Sequence, residues 1–233
     1  MPRVVWSIAN PVLYAGDTGD GIYRIALGGS ATDVYCNMSS DGGGWTLLMK
    51  QAKGDGVTLQ GDTTYWKNGT VLNDNQSNLN VGDGNLVSVA FSVLPTTQFM
   101  LQASNESTTK KHTNDSPMTG LAAFSDNRLA VYVDGPNTWY PSRPNWSIHA
   151  SSYPNGDPLS SARFGFNFIE NYLPLAPLNY RCGARWGWAG NQDLSGGSAG
   201  SHDACGGLGA WGASYGYYGK NSWQTATYYL WGK

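Results

Sequence analysis

Four aromatic side chains fall within eight residues near the end of the chain: Trp211, Tyr215, Tyr217 and Tyr218. Gly, Ala and Ser separate Trp211, Tyr215 and the Tyr217–Tyr218 pair, which leaves room around the rings. Flat rings stack on the apolar C–H faces of a sugar, and nearby carboxamide, carboxylate or imidazole groups hydrogen-bond its hydroxyls. The pattern therefore points to carbohydrate binding. It would equally serve to pack a loop onto a sheet, and the residues alone leave both readings open. A second aromatic group, Trp139, Tyr140 and Trp146, lies among prolines and reads as packing. His112 and His149 have no partner pattern around them and read as ordinary histidines. The sequons at Asn37, Asn68, Asn75, Asn105 and Asn145 carry little weight in a chain so rich in Asn and Ser.

Reaction chemistry is harder to find. No GxSxG, HExxH, P-loop or Rossmann fingerprint occurs. The carboxylates near the aromatic loops form no obvious acid/base pair for glycoside cleavage. The Gly-rich runs lack the Lys and helix that phosphate binding requires. The chain therefore reads as non-catalytic. Its three cysteines are Cys36, Cys182 and Cys205, an odd number that leaves at least one thiol unpaired. Cys182 and Cys205 are candidates for a disulfide that closes a loop. Neither a CxxC nor a zinc-type His/Cys spacing is present.

Charged residues make up only 13% of the chain and the net charge is -2, which gives no reason to expect nucleic acid or an anionic membrane as partner. No apolar run approaches the roughly 20 residues of a membrane span. The N-terminal stretch lacks the apolar core of a signal peptide.

The elements that must position these groups are mostly short β-type runs bounded by Gly, Asn, Asp, Ser or Pro. They fall at residues 21–25, 33–35, 45–49, 87–93, 98–102, 129–133, 163–168 and 225–231. Short helices are expected near residues 65–68 or 116–125. Residues 105–117, 136–158 and 190–219 read as loops. The last is glycine-rich and unusually long for a structureless connection, which makes it the first place to look for a site. The expected fold class is α+β: mainly antiparallel β-sheet, few short helices, and long Gly/aromatic loops. Residues 1–20 read as a connecting segment and residues 21–233 as a single domain.

The stretch 21–50 reads GIYRIALGGSATDVYCNMSSDGGGWTLLMK. Its order of G-I-Y strand, V-Y-C-N-M strand and G-G-G-W-T turn resembles the opening of fibrinogen-like C-terminal domains. Tyr65–Trp66 with Asn68 and Leu72, and Ala90–Phe91 with Leu94–Pro95, resemble later landmarks of bacterial, phage and intelectin-type members. ARWGWAGN at 184–191, DACGGLG at 203–209 and the closing strand at 226–231 are similar too. Within this stretch Trp45 is expected to fill the core under the glycine turn, and Cys36 to behave as a buried small hydrophobe.

This resemblance implies a calcium site in the Gly-rich C-terminal loop. Trp188 is followed by Asn191, Gln192 and Asp193, and Asp203 adds a second carboxylate, so Asn191, Asp193 and Asp203 are the candidate ligands. Calcium takes six to eight oxygens, and backbone carbonyls would complete the set. Intelectin-like relatives imply that His202 holds a ligand beside the metal, with Trp211, Tyr215, Tyr217 and Tyr218 walling the pocket. The family's usual upstream partner for the first cysteine is missing, since residues 8–13 contain none. That departure suits a phage tail-fibre tip or bacterial adhesin, on a virion surface or outside the cell. A cell-surface glycan or glycoconjugate is the expected partner. A homotrimer or other multivalent array would compensate for weak single sites. The alternatives are a structural or protein-binding module and a glycan-cleaving enzyme.

Overall fold

The computed structural model describes residues 3–4, 19–53, 58–61, 63–104, 109–125, 163–169, 182–191, 203–209, 211–212 and 226–233. The strands are β1 (Arg3–Val4), β2 (Gly21–Leu27), β3 (Ser30–Asn37), β4 (Trp45–Gln51), β5 (Leu86–Val87), β6 (Thr96–Ala103), β7 (Thr109–Met118), β8 (Arg163–Ile169), β9 (Cys182–Asn191), β10 (Asp203–Leu208), β11 (Trp211–Gly212) and β12 (Tyr228–Gly232). Among the described residues three short helices join them: α1 (Thr64–Asn68), α2 (Ala90–Val93) and α3 (Gly120–Phe124). The large sheet runs β1-β2-β3-β4-β12-β6-β7, with β5 beside β4; in the small sheet β9 pairs with β8 on one side and with β10 and β11. Among the described residues every strand pair is antiparallel except β1–β2. This is the mainly antiparallel α+β class with few short helices.

Period-two burial explains β2, where Tyr23, Ile25 and Leu27 point into the core. The turn before β4 holds Asp41, Gly42, Gly43 and Gly44 all at positive φ. A Cβ on Gly43 would stand 2.4 Å from the Met38 carbonyl oxygen, so only glycine fits there. Trp45 follows and is 1% exposed, as the sequence suggests. β4 is buried along its whole length and needs both faces covered.

A bulge decides which residues go to which face. Leu230 pairs with Met49 and Trp231 with Leu47, so Leu48 is the extra residue on β4. On one face lie Trp45, Leu47, Leu79, Leu86, Met100, Tyr229 and Trp231. On the other, Leu48, Met49, Phe99 and Leu230 join the helices' Trp66, Phe91 and Phe124. Trp66 meets Phe91 edge-on at 5.9 Å and Phe124 stacks on Trp186 at 6.2 Å, which brings the small sheet into the same core.

Four readings of the sequence are corrected. The run 87–93 is not one strand: after β5 the chain turns into α2, because Asp74 Oδ2 accepts the Val89 N–H and Ser88 Oγ accepts that of Ala90. Residues 105–117 are not all loop, since Thr109–Met118 forms β7. Its polarity is that of a sheet edge, where most side chains meet solvent. The helix expected within 116–125 is confined to Gly120–Phe124, because Met118 still belongs to β7. Residues 190–219 include β10 and β11, so the region is partly sheet. Arg3–Val4 lies along β2, which ties part of the segment 1–20 to the sheet. The strand expected at 129–133 and the groups Trp139, Tyr140, Trp146 and His149 lie outside the described residues.

Candidate functional site

The small sheet is fixed to the large one by a few polar anchors. Arg185 on β9 is 3% exposed, and its Nε donates to the Gly61 carbonyl at 2.6 Å. Its Nη1 donates to the Phe124 carbonyl at 2.9 Å, Nη2 also donates to Gly61, and the guanidinium lies 6.0 Å from the Trp66 ring centre. The planar fork serves two buried carbonyls at once from one rigid, pre-organised set of donors. Just after β10, the Gly209 N–H donates to Gln51 Oε1 at 2.7 Å. Gly209 sits at φ +64°, and a Cβ there would come within 2.7 Å of the Trp66 ring.

From this anchored base β9 and β10 run out as a hairpin. Their register sets Asp203 opposite Asn191 at the end where residues 192–202 connect the strands. Two of the three candidate metal ligands are thus cross-strand neighbours. Asp193 and His202 flank that pair in sequence, within the segment that lies outside the described residues.

Trp211 does not join them along the sheet. It pairs with Gly183, eight positions from Asn191 on β9, which at strand rise is roughly 26 Å. Tyr215, Tyr217 and Tyr218 lie outside the described residues. The backbone therefore assigns the oxygen-rich group and Trp211 to opposite ends of β9.

The same register corrects the disulfide. Cys182 stands opposite Gly212 and Cys205 opposite Ala189, seven positions away along β9, or roughly 23 Å. A disulfide holds its Cα atoms within about 7 Å, so these two do not bridge. Cys36 is free and fully buried, as expected of a small hydrophobe. Its Sγ lies 3.9 Å from the Thr46 hydroxyl, and burial pushes the thiol pKa up to about 12. Among the described residues no group of three or more His, Cys, Asp or Glu side chains gathers to hold a metal.

One polar cluster escaped the sequence reading. Lys50 on β4 is 0% exposed, and its Nζ donates to the Asn78 carbonyl at 3.1 Å, the Asn80 carbonyl at 3.3 Å and Asn80 Oδ1 at 3.1 Å. Burial pulls the Lys50 pKa down while Asp83 pushes it up. Tyr229 donates to the Val81 carbonyl at 2.5 Å and Thr227 Oγ1 to Asp83 Oδ1, which hold the same loop over β4 and β12. The available signal was a lone Lys in the apolar run WTLLMKQ.

Comparison with known proteins agrees with this architecture. Residues 9–110 match the family described as the fibrinogen beta and gamma chains, C-terminal globular domain. Over 42 residues, 17% of this chain, the sequence is 45% identical to tenascin of Mus musculus, and it spans 2% of that protein's length. The glycine turn, buried Trp45 and antiparallel strands β2 to β6 fall inside the matched region, so residues 9–110 are similar to the fibrinogen-like C-terminal domain.

Proposed function

We propose that this domain is a non-catalytic recognition module that binds carbohydrate on a cell surface through the end of the β9–β10 hairpin. The observation that carries the reading is the register pairing Asn191 with Asp203 at the mouth of the loop 192–202. Two carboxylates, a carboxamide and the carbonyls of a Gly/Ser-rich loop form a donor set suited to a hard, oxygen-seeking cation. In this reading Asn191, Asp193 and Asp203 hold calcium, which supplies positive charge for binding hydroxyl oxygens, and His202 hydrogen-bonds the ligand. Trp211, Tyr215, Tyr217 and Tyr218 then form a separate stacking surface. A tail-fibre tip or adhesin, displayed outside the cell or on a virion as a trimer or other array, is the setting that suits weak single sites.

A glycan array run with calcium and with chelator tests the proposal. The expected result is calcium-dependent glycan binding and a higher thermal midpoint with calcium, both abolished in Asp203→Ala. Absence of glycan binding under either condition, or binding unchanged in Asp203→Ala, would sink it.

A second reading, a protein-binding module, rests on β7. Among the described residues this ten-residue strand has β6 as its strand neighbour, and its outer edge lies at the margin of the sheet. Such an edge accepts an added strand from a partner. Binding to protease-sensitive cell surfaces without any glycan hit would select this alternative.

A further inference from the structure

β4 places a lysine where a hydrophobe would ordinarily stand. Lys50 is flanked on neighbouring strands by Leu86 and Tyr229, both buried, and is itself 0% exposed. Its Nζ is 3.1 Å from Asn80 Oδ1. That same oxygen accepts the Gly82 N–H at 2.7 Å, and Asn80 Nδ2 donates to the Ser77 carbonyl at 2.8 Å. The carboxamide is therefore held at both ends. The Gly82 N–H on that carbonyl oxygen draws electron density from its carbon and prepares it for a nucleophile. Asp83 acts electrostatically on Lys50 and is itself oriented by the Thr227 hydroxyl. Burial disfavours the ammonium form, which raises the share of nucleophilic amine. A desolvated amine beside a polarised carboxamide supplies the nucleophile and the electrophile of an amide exchange.

We propose that Lys50 and Asn80 join in an intramolecular isopeptide bond in the folded chain. The Lys50 ammonium gives a proton to water, and the freed lone pair on Nζ attacks Asn80 Cγ. A bond forms between Nζ and Cγ, and the bond between Cγ and Nδ2 breaks. Nζ gives up two protons in all. The departing nitrogen takes up two and leaves as ammonium, so the protons balance. No oxidant, reductant or second substrate is consumed. The product fastens the Asn-rich segment carrying Leu79 to the middle of the large sheet.

Intact-mass spectrometry of the purified, folded full chain tests this directly. The expected main species lies about 17 Da below the sequence mass, one ammonia lost. Proteolysis then yields a peptide containing Lys50 joined to one containing Asn80. Lys50→Met and Asn80→Ala each restore the unmodified mass. A wild-type chain at full sequence mass with separate Lys50 and Asn80 peptides overturns the proposal. So does an ammonia loss without the joined peptide, as a succinimide elsewhere would give. The deciding measurement is on the wild type, so it holds even where a variant fails to fold.

Discussion

Arg185→Ala is the most informative substitution for the docking of the small sheet. The native guanidinium serves two carbonyls, those of Gly61 and Phe124, and both residues are buried. Removing it leaves two buried acceptors without these donors. Each lost partner costs about 1–3 kcal/mol, so the pair costs about 2–6 kcal/mol. The emptied space beside Trp66 adds to that figure, and any water that enters subtracts from it. Against a domain stability of about 5–15 kcal/mol the loss is large. Arg185→Lys recovers less than half of it, because one ammonium lacks the planar fork that spans both carbonyls. Urea unfolding followed by tryptophan fluorescence gives the size of the effect. Amide hydrogen exchange gives its place: protection falls in β9 and β10 while β4 and β12 keep theirs. A loss below about 1 kcal/mol with exchange in β9 and β10 unchanged would refute the anchoring role.

Two further outcomes follow from titratable groups. Cys36 is fully buried with a thiol pKa of about 12, so in the native protein at pH 8 it resists iodoacetamide and reacts only on unfolding; equal rates of Cys36 labelling in folded and denatured chains, by peptide mapping, would contradict its burial. Asp41→Asn lowers stability at neutral pH by at most about 1 kcal/mol, since the Asp41–Lys111 pair at 2.5 Å is partly exposed. The Lys111 hydrogen bond holds Asp41 below its ordinary value of 3.8, so the wild-type advantage is present above that value and lost as pH falls through the lower folded pKa. Urea midpoints of wild type and Asp41→Asn should therefore converge in strong acid, and a gap that persists there would be inconsistent with this assignment.

What the sequence revealed depended on how local each cause was. The strands β2 to β4 were legible because their signals lie in the run itself: alternation in GIYRIAL and a triple glycine before Trp45. The turn into α2 was not, since Asp74, fifteen residues away, supplies one of the acceptors that start it. β7 hid behind its polarity, because an edge strand buries too little to show a clean apolar alternation. The bulge at Leu48 is set by β12, and nothing in WTLLMKQ announces that Lys50 will turn to the same face as Trp45 and Leu47. Arg185 read as part of a motif, with partners 124 and 61 residues away. Asn191 and Asp203 were singled out by resemblance, and the hairpin register sets them opposite each other. Trp211 shows the reverse error. It lies eight residues from Asp203 in the chain, yet a strand travels far in eight residues and carried it to the other end of β9.

The position of β12 bears on how the sheet is assembled. β4 and β6 have no pairing with each other; each pairs with β12, whose residues Tyr228–Gly232 follow β4 by most of the chain. During synthesis, then, β2 to β5 and β6 to β7 can form as separate hairpin-like units while the gap between them stays open. Two bare strand edges, one of them that of β4, which is buried along its whole length in the finished fold, face the solvent or a chaperone until the closing strand emerges. Closing so long a loop delays the step that rewards it, and this predicts slow folding with a late, cooperative commitment. The domain behaves as an arch: neither half is secure until the last stone is set.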